Sequence, residues 1–482
     1  MDTGSVRPAV TELRLSAFKT HRGITLPLGP LTLLSGESGS GKSSALQAYE
    51  ILARLGSGES LTRAVRDVAG SASACVPAGS RPDEQGRRGF RIGCTIDGPA
   101  GPVDLDLAVQ AEPELRIVGE RLTGGGETLL TTALTDPTRP AVQAAWHTAG
   151  TTPVTRAPLP DDRLGTSLLP LRVAGKTEGQ RLVLAAAEQV VVALRSAFVC
   201  DPRPEVMRGT RAAMAAGAVG AGGTGGRAKK AGTGKAAGKG AATTTAGSWG
   251  TRARTGSGGG GEAGRWGRDA DDVHDEGRLR TSCDNLPAVL ERTSKECARR
   301  HAVLVAAVRE ACAGPVDGLR AVPRQPDQPV EVAAAVPSPA APGAPGAPAG
   351  GGRSGSGAQR TGQGAVAEER RLQAVVDRGT LGEMPIEQLG DGELRFVALA
   401  LVLLTGPGVL AMDPAGEIPS AQQQMTVMAD GMDRCMDRRQ ARELVSLAVR
   451  MAERGHVRLL GTVRDPSVAD GLPGVQVLHL GA

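Results

Sequence analysis

"LLSGESGSGKSSAL", residues 33–46, satisfies G-x-x-x-x-G-K-[ST] at every fixed position, with Gly36, Gly41, Lys42 and Ser43. "PLTLLSG" before it reads as a buried strand, and "SSALQAYEILARL" after it as a helix with Leu46, Tyr49, Ile51, Leu52 and Leu55 close to one face. The motif therefore lies between a strand and a helix, the context that gives it meaning. Glycines let the chain curl so that the amides of Gly36, Glu37, Ser38, Gly39, Ser40, Gly41, Lys42, Ser43 and Ser44 converge on one concavity. The helix start adds its positive dipole end. Lys42 is placed to reach β and γ phosphates, and the Ser43 hydroxyl to take a Mg²⁺ position. The stretch predicts a site for ATP or GTP with Mg²⁺.

Outward from this loop the pattern is strand-rich, then helical. "ELRLSAF" and "GITLPL" precede it as strands, and residues 88–120 read as a short meander. "EGQRLVLAAAEQVVVALRSAF" (178–198) predicts a long amphipathic helix stopped by Pro202 and Pro204. "DNLPAVLERTSKECARRHAVLVAAVREAC" (284–312) predicts one helix with Asp284 or Asn285 as its cap and Pro287 in the first turn. In the C-terminal part "RRLQAVVDRG" begins with a strand and "LGDGELRFVALALVLL" is helical. "GVLAMD" (408–413) reads as a buried strand, residues 420–454 as two helices, and "HVRLLGTV" and "VQVLHL" as closing strands. The predicted fold class is α/β: a P-loop NTPase with a mixed sheet, flanking helices, an N-terminal antiparallel layer and long disordered insertions.

Composition sets the boundaries. The 68 glycines and 32 prolines are concentrated in two tracts that cannot bury enough apolar surface to offset chain entropy. The expected organisation is an N-terminal half at 1–208, a disordered basic Gly/Ala-rich insert at 209–282, a helical arm at 283–322, a Pro/Gly linker at 323–366 and a C-terminal half at 367–482. Aromatic residues are 2%, so the core must be aliphatic. Seven cysteines form no C-x-x-C pair, and the histidines lie apart without metal-ligand spacing, which excludes a readable zinc or disulfide framework. The longest apolar run, "FVALALVLL" (396–404), is far short of the ~20 residues of a membrane span. The expectation is a soluble, reduced, cytoplasmic protein with no membrane partner.

Between Arg208 and Arg268 nearly every charge is positive, with Trp249 and Trp266 interleaved and Glu262 the exception. The tract reads either as an electrostatic arm for DNA or as a solvated linker.

"LRLSAFKTHRGITLPLGPLTLLSGESGSGKSSALQAYEIL" together with "LGDGELRFVALALVLL" resembles the RecF/SMC-type ABC ATPases, in the ABC-like AAA-21 branch of AAA family ATPases. "VCDPRPEVMR" and "DNLPAVLERT" resemble segments flanking the variable arm of that branch. The resemblance implies that ATP is held by Lys42, Ser43 and Asp413 of one head, with Asp413 completing the Mg²⁺ site. It also implies that Gly390, Asp391, Gly392 and Glu393 of a second head close over the γ-phosphate, so that ATP drives homodimerisation. Three positions depart from the family pattern. Gly390 stands where the signature serine is expected, Pro414 follows Asp413 in place of the water-orienting glutamate, and "LLGTVRD" (459–465) has no switch histidine. In an alternative alignment Asp413 is itself the water-orienting acid and Met412 falls at the metal position. Glu417 and Arg464 are the candidate substitutes, as acid and as fixed cation. The expected function is slow Mg²⁺-dependent ATP hydrolysis coupled to head dimerisation, in DNA maintenance or defence. The alternative is a non-hydrolysing ATP switch acting through a protein partner.

Overall fold

The structure is a computed structural model that describes residues 7–147, 154–208, 278–323, 372–405, 424–455 and 457–481. Its N-terminal hairpin, β1 (Ala9–Phe18) and β2 (His21–Pro27), is followed by β3 (Leu31–Gly36), α1 (Lys42–Gly56) and α2 (Leu61–Ala69). The meander then runs through β4 (Arg88–Asp97), β5 (Val103–Glu112), β6 (Arg116–Gly124), β7 (Glu127–Ala133), β8 (Ala141–His147) and β9 (Val154–Pro160). It reaches forty residues beyond the expected limit at 120, because Leu129, Leu130, Val142, Ala144, Trp146 and Leu159 keep supplying inward side chains. These strands form one antiparallel sheet in the order β2-β1-β4-β5-β6-β7-β8-β9. Along β4 the alternation is plain: Phe90, Ile92, Cys94 and Ile96 are buried while Arg91 is exposed.

Next come α3 (Gly165–Leu168), α4 (Glu178–Arg195), β10 (Ala197–Val199) and α5 (Pro204–Met207). The long helix thus ends at Arg195 and not at the prolines. Ser196 closes it by returning its amide and hydroxyl to the Val192 carbonyl, and "AFV" is drawn into a sheet. Pro204 opens α5, where its missing N–H costs nothing. The single helix expected over 284–312 is two: α6 (Leu286–Glu296) and α7 (Ala298–Ala311) break at Cys297, whose φ of −153° is extended. β11 (Gly318–Pro323), β12 (Leu372–Asp377) and β13 (Glu383–Pro385) make a small antiparallel sheet ahead of α8 (Asp391–Leu404). β14 (Met425–Ala429) follows in place of the first of the two helices expected over 420–454, and α9 (Arg438–Ala452) is the second. β15 (Val457–Thr462) and β16 (Val475–Leu480) close the chain. The expected strand "GVLAMD", most of the basic insert and the Pro/Gly tract lie outside the described residues.

The second sheet positions the site. Its five strands run parallel in the order β10-β14-β15-β3-β16. Leu31 and Leu33 of β3, Val427 and Ala429 of β14 and Leu459 of β15 enter one core, with α8 and α9. Leu34, Met428 and Leu460 enter the other, with α1, α4 and the antiparallel sheet. Burial on both faces explains why these strands read as continuous apolar runs. The expected α/β class, with an antiparallel layer beside a P-loop sheet, is the one observed. Parallel strands bring their carboxyl ends to one side, where a ligand crevice forms. Gly36, Asp430 and Thr462 stand at those ends. Among the described residues no helix is long and apolar enough to cross a membrane.

Candidate nucleotide-binding site

The turn between β3 and α1 is shaped by its glycines. Gly41, the residue before α1, adopts φ 96°, and a Cβ there would run into the ring of His21. His21 is buried, and its Nε2 donates to the Gly41 carbonyl at 2.9 Å. In the sequence this contact leaves no signal beyond an isolated histidine after a strand turn. Its neighbour Lys19, with φ 51°, donates to Gln47 Oε1 of α1 at 2.5 Å. The β1–β2 turn is thereby buttressed against the glycine-rich loop from two sides. Glu37, Ser38 and Gly39 form the exposed tip, Ser40 is half-buried, and Ser44 lies within the first turn of α1. Lys42 Nζ donates to the Gly36 and Glu37 carbonyls at 2.7 and 2.8 Å, which holds the ammonium over the concavity.

Ser43 reaches across to the end of another strand. Its Oγ donates to Asp430 Oδ2 at 2.8 Å, joining residues 387 positions apart. Asp430 follows β14 directly, and its Oδ1 accepts from Thr462 Oγ1 at 2.6 Å. Thr462 Oγ1 in turn accepts the Gly431 amide at 2.7 Å. A carboxylate and a hydroxyl on neighbouring elements are hard oxygen donors suited to Mg²⁺ and its retained waters. Asp413 and Glu417, the acids anticipated here, lie outside the described residues; among the described residues Asp430 is the carboxylate that meets Ser43. Gly431 follows Asp430, so no acidic side chain stands immediately after it. Val463 follows Thr462 and is buried in the apolar core. Arg464 is exposed, and its contact here is through the main chain: its amide donates to Asp433 Oδ2 at 2.7 Å.

The "GDGE" turn opens α8, with Gly390 as the residue before the helix and Asp391, Gly392 and Glu393 in its first turn. Glu393 Oε2 accepts the Gly390 amide at 3.3 Å, and its Oε1 accepts the Ala313 amide at 3.2 Å. Two residues on, Arg395 is buried and binds three carbonyls. Nη1 donates to Pro202 at 2.5 Å, and Nη2 to Asp430 and Gly431 at 3.2 and 3.0 Å. The start of α8 is thus tied within one chain to the turn that presents Asp430. Sequence reasoning passed over Arg395 because an arginine in an otherwise apolar helix looks like a solvent-facing residue.

No family model matches the chain, and no curated protein matches it. Solved structures do. One is an Smc head bound to the C-winged helix domain of ScpA, at 10% identity over 95% of this chain and 90% of that one, TM-score 0.40. Another is an Smc head with an extended coiled coil bound to the C-terminal domain of ScpA derived from Pyrococcus furiosus, at 10% identity over 95% and 90%, TM-score 0.38. A third is the SMC head domain from Thermotoga maritima, at 10% identity over 97% and 94%, TM-score 0.35.

Proposed function

We propose that this chain is an ATP-binding head of the ABC, RecF and SMC kind, in the AAA-21 branch that its sequence resembles. The observation that carries the reading is the Ser43–Asp430 hydrogen bond, which joins the glycine-rich loop to the end of β14. The loop amides and Lys42 bind the phosphates, and Ser43 and Asp430 hold Mg²⁺. When bound, Mg²⁺ neutralises charge between the β and γ phosphates. Gly390, Asp391, Gly392 and Glu393 of a second copy complete the pocket, so ATP promotes a homodimer. Hydrolysis is slow, because the residue after Asp430 is glycine and Val463 cannot exchange a proton. Removing a water-positioning group costs orders of magnitude in phosphoryl transfer. DNA contact enters only through the basic tract between Arg208 and Arg268. If that tract is the contact, deleting it lowers DNA affinity and flattens its salt dependence.

The same two residues, Gly431 and Val463, favour a second reading: an ATP-dependent switch that closes without turnover. Phosphate release by the purified chain, measured beside Lys42→Ala and with molecular mass plus and minus ATP, separates the two. Release above the Lys42→Ala background supports the ATPase. A doubled mass with no release supports the switch. Absence of both ATP binding and a mass change sinks both readings.

A further inference from the structure

Arg208 ends the described segment that follows α5, and its guanidinium grips the turn ahead of α8 at three points. Nε donates to the Glu387 carbonyl at 3.0 Å, Nη2 to the Leu389 carbonyl at 2.8 Å, and Nη1 pairs with Asp391 Oδ1 at 2.6 Å. The fork geometry of arginine is what allows one side chain to span two carbonyls and a carboxylate. Arg208 is half-buried, whereas Asp391 is half-exposed at the helix start.

The electrostatics of this turn need such a partner. A helix start attracts anions through its free amides. This one carries two carboxylates, Asp391 and Glu393, which would repel a triphosphate. Glu393 is turned inward onto the Gly390 and Ala313 amides, with Arg378 4.0 Å away. That leaves Asp391 as the acid at the rim, and Arg208 is paired with it. We infer that Arg208 is a positioning residue: it fixes the 387–391 turn and cancels the Asp391 charge, so that the start of α8 can receive a nucleoside triphosphate held by a second copy. The inference rests on the two-head reading above.

The test is ATP-dependent dimerisation of the full chain, followed by mass measurement over a range of protein concentration. A fluorescent ATP analogue is titrated into the same samples. Arg208→Met raises the concentration for half-dimerisation about tenfold, the loss of one charge-assisted contact set. Adding Asp391→Asn to that variant restores most of the loss, because the charge that needed cancelling is gone. A strut with no electrostatic role gives a double variant as weak as the single one, and that result overturns the inference. So does Arg208→Met behaving as the parent. If the parent binds the analogue but never dimerises, the two-head reading falls and takes the inference with it; if it binds no analogue, the nucleotide reading falls as well. Should Arg208→Met fail to fold, Asp391→Asn alone decides: released Arg208 charge strengthens dimerisation, and unchanged or weaker dimerisation refutes the proposal.

Discussion

Asp430 accepts from two hydroxyls, Ser43 on one side and Thr462 on the other, so each oxygen has a fixed direction before any ligand arrives. Preorganisation of this kind would strengthen the proposed Mg²⁺ site without a reorganisation cost at binding. The residue after it supplies nothing. Gly431 has φ 60°, a conformation in which a side chain costs about 1–2 kcal/mol. On the proposed ATPase reading, Gly431→Glu therefore pits modest strain against an acid set beside the bound nucleotide. The acid should win on rate: phosphate release rises by at least about tenfold while thermal stability drops slightly. Equal release in parent and variant would mean that the missing carboxylate does not limit turnover. The strand–turn–helix that carries Lys42 and Ser43 was legible because its motif has a fixed local spacing. Asp430 was not, since the five residues before it in "QMTVMADGMD" are interrupted by Thr426, whereas "GVLAMD" offered an equally long approach to an acid with no polar side chain in it. A carboxylate's partner 387 residues away leaves no trace in either neighbourhood.

Elements of the parallel sheet meet through buried arginines as well as through apolar packing. Arg395 joins α8 to the turn after β14 and to the segment after β10. Arg458 does the same between β15 and the link from β2 to β3, with Nη2 donating to the Leu28 and Gly29 carbonyls at 2.6 and 3.0 Å. Burial pulls the Arg458 pKa below its ordinary value, with the opposing pull of Tyr49 and Asp97 smaller. Truncating either arginine strands carbonyls in a dry interior, and hydrogen bonds to charged groups are the costly ones to lose. Arg395→Met should lower unfolding free energy by about 3 kcal/mol in urea titration, and Arg395→Lys by about half as much, since the charge stays and the fork goes. A loss under about 1 kcal/mol would show that the three carbonyls find water instead. Most helices and strands were visible from periodicity, but β10 was absorbed into the helix before it and β14 was read as part of a helix. Both are short strands completed by neighbours distant in sequence, and local pattern cannot report a partner that the fold brings later.

Across the whole molecule the antiparallel layer and one face of the P-loop sheet share one core, so the anchorage of α3 and α4 bears on both sheets. Glu120 of β6 provides part of that anchorage. Its fully buried carboxylate accepts the Gly165 amide at 2.6 Å, the Thr166 amide at 2.7 Å and the Thr166 hydroxyl. Burial raises its pKa above the ordinary 4.5, and these three donors only partly offset the shift. A group protonated more readily in the folded chain contributes stability that is complete below its unfolded pKa and is lost as pH rises through the folded one. Three surface aspartates, Asp83, Asp136 and Asp465, act in the opposite sense: their lowered pKa values come mainly from hydrogen bonds, and their contribution is lost as pH falls. Those effects are common to the parent and to Glu120→Gln, so the difference between the two isolates Glu120. The glutamine variant turns an amide toward donors and is the less stable at acid pH. Its deficit should shrink as pH rises above about 4.5 and level off once Glu120 has ionised. Urea unfolding at several pH values reads this directly, and a deficit that stays constant or grows with pH would show that the three donors, and not burial, set the state of Glu120.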